Sequence, residues 1–192
     1  MIAYVLHGKR DLRAEELPDP VVKLGEVLIR VRRMGICGSD VHYFATGHCG
    51  AFVPQRPFVL GHELAGEIVE KCSSVKGLTF GQRVAVDPSR PCGDCTFCRA
   101  ARSNLCRDMR YLGSASTDPH VDGAFSSYLA VPAGNCYPLS DDVDDAEAAL
   151  LEPLSVATHA VLRAGSIADK SVLIQGAGTV GQLVLLVARA MG

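Results

Sequence analysis

The sequence predicts a mixed α/β chain: a β-rich, barrel-like domain followed by the first βα unit of an incomplete dinucleotide-binding fold. Three observations predict it. Short runs with period-two alternation, broken by Gly and Pro, recur as far as Val131. Four of the eight cysteines crowd into one loop. Near the end of the sequence a glycine-rich turn lies between a short apolar run and an apolar helical one.

The elements follow in order. Val27, Ile29 and Val31 alternate with Arg30 and Arg32, the pattern of a strand with one face buried. Residues 67–69, 83–86 and 125–131 continue it, and several short strands with irregular loops predict a barrel whose loops carry the chemistry. Beyond Ser140, four aspartates (Asp141, Asp142, Asp144, Asp145) precede an apolar stretch over 146–151. Acidic side chains favour a helix N-terminus, so a helix starts here; metal binding would need oxygen ligands spaced around a loop, and none follow. Pro153 suits the first turn of a second helix, where its missing N–H has no partner to lose, and Gly165 marks that helix's end. Glu152 is thereby held at a helix mouth.

Residues 171–175 read as an apolar strand and 183–191 as an apolar helix. One strand and one helix do not make a doubly wound sheet, so the chain is expected to be a fragment: a β-rich domain over 1–164 and the start of a Rossmann-type domain over 165–192. The isolated chain is expected to be less soluble than an intact parent because the apolar face of 183–191 lacks a cover.

Composition narrows the function classes. With 48% hydrophobic and 21% charged residues, the 192-residue chain can bury a core and is unlike a disordered tail. A net charge of −2 lacks the basic footprint of a nucleic-acid binder. No run reaches the roughly 18 apolar residues of a membrane span, and residues 1–6 are too short for a signal-peptide core, so a cytoplasmic protein without membrane or nucleic-acid partners is expected. In a reducing compartment eight cysteines point to metal rather than to disulfides.

Cys92, Cys95, Cys98 and Cys106 are spaced x2, x2 and x7, close enough for one loop to wrap four thiolates around a tetrahedral ion. Zinc suits soft sulfur ligands in that geometry, and with four protein donors the site is structural. An iron–sulfur cluster and a set of reduced thiols are the alternatives. Gly176, Gly178 and Gly181 form G-x-G-x-x-G, directly after the apolar strand and opening the helix, with Thr179 and Val180 between them. That context predicts pyrophosphate binding at the helix N-terminus, by NAD or NADP. The residue that tells the two apart would lie about 20 positions on, past Gly192.

Cys37 stands in Gly35-Ile36-Cys37-Gly38-Ser39-Asp40, and His62 with Glu63 in Gly61-His62-Glu63-Leu64-Ala65-Gly66. Each piece alone is weak, because a lone Cys or His is more often packed than ligating. In this order with the cysteine loop and the glycine fingerprint, however, the chain resembles the zinc-dependent medium-chain alcohol and polyol dehydrogenases over nearly its whole length. The stretches 87–92, 108–110, 113–115 and 119–123 resemble the sugar-acid members most. Cys72 stands where the family's zinc signature usually has Gly or Ala, a departure at a turn and not at a ligand.

The resemblance implies a GroES-like β-barrel and a catalytic zinc held by Cys37, His62 and either Glu63 or Glu152, with a structural zinc on the four cysteines. It implies that Asp40 orients His62, its other reading being a turn-capping carboxylate. It places Ser39 and His42 in a proton relay, although His42 reads equally as a surface residue, and puts Tyr43 at the substrate, where an aromatic is otherwise simple packing. The implied reaction moves hydride between a secondary alcohol of a polyol or sugar acid and NAD(P), with L-idonate to 5-ketogluconate as the specific expectation and a homo-oligomeric parent. Sorbitol, threonine or another alcohol is the alternative substrate, and a non-catalytic zinc-stabilised binding module is the rival class.

Overall fold

The computed structural model describes residues 1–192. Its contacts divide the chain into two compact units, Met1–Ala149 and Leu150–Gly192. The division falls earlier than the change of sequence texture, since the helix bearing Glu152 and Pro153 belongs to the second unit.

The first unit is all antiparallel. β1 (Ile2–Gly8) pairs with β2 (Asp11–Glu16) and with β4 (Phe58–Val59) in a three-stranded sheet. β3 (Glu26–Met34), β5 (Leu64–Lys71), β6 (Arg83–Val86), β9 (Tyr128–Pro132) and β10 (Cys136–Pro138) form a five-stranded sheet in the order β10-β6-β5-β3-β9. The alternation in β3 decides its faces: Val27 and Ile29 are fully buried, while Arg30 and Arg32 look outward and pair with Glu67 on β5. The core gathers these side chains with Leu64, Ile68, Val84, Val131 and Leu112. Gly66 is required in β5, because a Cβ there would lie 2.4 Å from the Ile29 side chain and 2.5 Å from the Arg30 carbonyl oxygen. The strand expected over 125–131 begins late, at Tyr128, since residues 125–127 bond instead to Leu60 and to the β1 strand.

Two features of this unit place the chemistry. β3 pairs with β5 so that Met34 faces Leu64. The three residues after β3 and the three before β5 therefore leave the sheet side by side, and the Gly35 N–H donates to the Glu63 carbonyl at 2.7 Å. β7 (Ser89–Arg90) and β8 (Arg110–Tyr111) form a short ladder, and the excursion between them carries α2 (Thr96–Arg99) and the four clustered cysteines. The acidic run caps α3 (Asp145–Ala149), where the Asp144 carboxylate accepts from the N–H groups of Ala146 and Glu147.

In the second unit α4 (Leu151–Arg163) packs against α5 (Thr179–Ala190). Pro153 lies in the first turn of α4, and Gly165, at φ +77°, follows its end. Residues 171–175 form no strand, which corrects the sequence expectation. A strand is defined by its ladder, and the segment has no neighbouring strand with which to exchange hydrogen bonds. Leu173 is accordingly 94% exposed. No helix is long and apolar enough to cross a membrane.

Candidate metal centres

Cys37 is the N-cap of α1 (Gly38–Thr46), which puts its sulfur at the positive end of a helix. His62 and Glu63 precede β5, and both are buried. The register of β3 against β5 brings the three together: one donor atom from each of Cys37, His62 and Glu63 lies within 4.8 Å of the others. That spacing needs only small side-chain shifts to close on zinc bonds of about 2.0–2.3 Å. The Cys37 thiol is held below its ordinary value, first by hydrogen bonding with His62 and further by Ser39, against the opposing effect of burial.

The glycines of the two motifs serve different needs. Gly61 sits at φ +95°, a conformation a side chain resists. Gly35 has no such φ. A Cβ there would lie 2.1 Å from Glu63 Oε2 and 2.9 Å from Glu63 Cβ, so Gly35 is the space into which the carboxylate folds. From its sequence context Gly35 reads only as easing a tight backbone; this second role depends on a contact across the sheet that local sequence does not show.

Asp40 is 2% exposed, and its oxygens accept from the backbone N–H groups of Cys37 at 2.9 Å and Gly61 at 3.1 Å. It ties the Cys37 helix to the His62 segment, the capping role read beside the imidazole-orienting one. Burial pushes its carboxyl up, partly offset by those N–H groups and by the charge of His62. Ser39 and His42 are three residues apart on α1 and share a face, with Ser39 half-buried and His42 exposed. Tyr43 is 2% exposed among Leu6, Phe58 and Leu60, its hydroxyl accepting from the Ala115 N–H at 3.1 Å. The structure brings out its packing role. Tyr111, which belongs to no motif, sets its ring against His62 at 5.6 Å between centroids.

The four-cysteine loop meets a sharper geometric test. Four sulfurs at about 2.3 Å from a tetrahedral zinc stand about 3.8 Å apart. Here Cys95 Sγ and Cys98 Sγ are 3.5 Å apart, and Cys92 Sγ and Cys98 Sγ 4.0 Å. All four donor atoms lie within 4.8 Å of one another, and none is in a disulfide. Gly93, at φ +79°, turns the loop, and the N–H groups of Cys92 and Cys95 donate to Cys106 Sγ and Cys92 Sγ at 3.2 and 3.3 Å. Backbone N–H groups, that of Arg107 first, pull the Cys95 thiol down to about 6. Four thiolates around a divalent ion leave a net −2, and the lobe answers with Arg99, Arg102 and Arg107, the last two resting over the Phe97 ring.

In the second unit Glu152 occupies the first turn of α4. Gly178 caps α5, with Thr179 and Val180 opening it to solvent. Gly176 sits at φ +107°, and a Cβ on Gly181 would meet the Gly176 carbonyl oxygen at 2.0 Å. Gly181 is thus the member of the fingerprint that close packing requires, and Gly176 the one its φ requires, while a Cβ on Gly178 would meet nothing within 4 Å.

One cluster with four protein donors and one with three, on a single antiparallel β domain, define a class: a domain that offers metal both a closed and an open site. Residues 23–141 match the model of the alcohol dehydrogenase GroES-like domain, and the chain belongs to that family, within the zinc-dependent medium-chain dehydrogenases. It is 42% identical over 192 residues to the sorbitol dehydrogenase of Bacillus subtilis, covering all of this chain and 53% of that protein. It is 41% identical over 192 residues to the L-idonate 5-dehydrogenase of Vitis vinifera, again over its full length and 51% of that protein. The crystal structure of L-idonate 5-dehydrogenase from Escherichia coli superposes with a TM-score of 0.94 at 38% identity, covering 100% of this chain and 54% of that one. The chain therefore spans about half the length of the relatives it matches.

Proposed function

We propose that the whole protein is a zinc-dependent dehydrogenase that oxidises a secondary alcohol of a polyol or sugar acid to a ketone, reversibly, passing hydride to NAD or NADP and a proton to solvent. L-idonate to 5-ketogluconate is the specific reaction. The single observation that carries the reading is the gathering of Cys37, His62 and Glu63 donor atoms within 4.8 Å beside a separate, closed four-cysteine site. One thiolate and one carboxylate bring two negative charges to the open site, which balance a divalent ion, whereas four thiolates overbalance it. Zinc in a neutral, open site supplies Lewis acidity enough to bring the acidity of a hydroxyl close to neutral pH.

The chain's own residues do the rest. Cys37, His62 and Glu63 hold the ion, and Asp40 fixes the two backbone segments that carry them. The Ser39 hydroxyl takes the alcohol's proton toward His42, whose exposed imidazole releases it to water. The glycine turn before α5 receives the pyrophosphate of the nucleotide. Sorbitol and L-idonate dehydrogenases among the relatives support a polyol or sugar-acid substrate.

Metal analysis of the purified chain tests the site. About two zinc ions are expected, one lost in Cys37→Ala and the other in Cys95→Ala. A single ion insensitive to Cys37 would instead indicate a zinc-stabilised binding module. A panel of L-idonate, sorbitol, xylitol and threonine with the whole protein tests the substrate, read by nicotinamide absorbance, and faster turnover of any of the last three would overturn the L-idonate assignment.

A further inference from the structure

The β7–β8 ladder sets two cations against each other. Its register places Arg90 directly opposite Arg110, and Ser89 opposite Tyr111. Successive side chains of a strand point to opposite faces, so Arg110 points away from the side on which Tyr111 meets His62. On that far face lies a cavity of about 340 Å³, lined by Arg90 and Arg110 with Leu112, Val121, Leu129 and Asp122. Arg110 and Leu112 line it and Tyr111 does not, as the alternation requires. Its volume is at the small end of the roughly 300–1,000 Å³ of small-molecule sites.

Neither arginine forms an ion pair. Each donates one long hydrogen bond to a backbone carbonyl, Arg90 to Ala130 at 3.4 Å and Arg110 to Pro119 at 3.5 Å, which leaves most of both guanidinium forks uncommitted. The other charged members of the lining are already engaged. Asp122 accepts from the Val59 N–H at 3.0 Å and pairs with Arg56 at 3.6 Å, and the Met1 amino group pairs with Asp19 at 2.8 Å. Like charges directly opposite on a ladder are destabilising, and Arg90 is half-buried besides. Burial chiefly holds its guanidinium below the ordinary value; Glu26 opposes that and the Arg110 charge adds to it.

Two positive charges left over call for a dianion. A carboxylate brings a single charge, and its pair of oxygens fills one guanidinium fork. A phosphoryl group brings a charge of about −2 and enough terminal oxygens to accept from both forks. Leu112, Val121 and Leu129 offer apolar walls to the organic part of such a ligand. We propose that this cavity binds a small phosphate monoester through Arg90 and Arg110, at a site separate from the open metal centre. The site does not depend on the dehydrogenase reading.

Calorimetric titration of the zinc-loaded chain with phenyl phosphate tests it, near pH 7.5, where the ester is a dianion. One ester should bind per chain. Benzenesulfonate, of similar shape with a single charge, should bind at least roughly fivefold more weakly, the scale of one charge contact in water. Arg90→Gln and Arg110→Gln should each weaken phenyl phosphate by about tenfold or more. Arg110→Gln should also leave the Tm of the ligand-free chain unchanged or raised, because it removes a like-charge pair, whereas an arginine kept for structure would lower it. Cys37→Ala, which empties the open metal site, should keep the affinity and so separates this cavity from phosphoryl binding to the metal. Phthalate distinguishes a dicarboxylate from a phosphoryl ligand. Tighter binding of phthalate, equal binding of benzenesulfonate, affinity unchanged in both arginine variants, or affinity lost in Cys37→Ala would each overturn the inference while leaving the dehydrogenase reading in place.

Discussion

Gly35→Ala offers a direct test of why the open metal site has the shape it has. The added Cβ would stand 2.1 Å from Glu63 Oε2 and 2.9 Å from Glu63 Cβ, closer than non-bonded atoms approach. Gly35 does not adopt a positive φ, so alanine is conformationally acceptable there and the whole effect falls on Glu63. The glutamate is 6% exposed, and clearing a contact that reaches its own Cβ means shifting the segment it shares with His62 as well as turning its carboxylate. Overlap of this kind costs about 1–3 kcal/mol. For a chain of this length that is a fall in Tm of about 2–12 °C, measured on metal-stripped protein so that only the overlap is read. Zinc affinity at the open site should fall at least 10–100-fold, roughly the effect of losing a supporting partner, because here a donor itself is displaced. After dialysis against a weak chelator, metal content should drop from about two ions to about one, with the four-cysteine site still filled. Glu63→Gln, which keeps the shape and removes the charge, should reproduce the metal loss without the overlap. Two tightly held ions in Gly35→Ala would refute the reasoning, since the carboxylate would then have no part in binding.

Two further predictions lie away from the metal sites. Cys72, whose thiol is drawn down to about 7 chiefly by the Ser74 hydroxyl and N–H, should alkylate at pH 7 well ahead of buried Cys136, which burial pushes up to about 12; equal labelling rates by peptide mass mapping would disprove this. Asp145 bridges Arg83 at 2.9 Å and Arg32 at 3.4 Å, and although burial opposes it, Arg83 first and then Arg32 hold its carboxyl below the ordinary aspartate value. Because the folded value is depressed, this bridge stabilises the fold above the ordinary aspartate range and fades as pH falls through the lowered value. Asp145→Asn should therefore cost about 1 kcal/mol at pH 7, and its urea midpoint should converge on that of the parent only as pH falls through the lowered Asp145 value, well below the ordinary aspartate range; a gap undiminished at the acid end of the titration would exclude the bridge as its cause.

What the sequence could disclose depended on how far apart the cooperating residues lie. The four-cysteine lobe is local: its ligands fall within one loop, so spacing alone carried the zinc reading, and the sulfur separations agree with it. The strand faces of β3 were equally legible, because burying one side of a strand leaves a period of two in the chain. The segment over 171–175 failed for the complementary reason, since apolar composition states what a strand would bury and says nothing about whether a neighbour exists to bond it. The open site lies between these cases. Cys37 and His62 meet only because Met34 pairs with Leu64, a register that no local pattern encodes, so family resemblance had to supply what periodicity lacked.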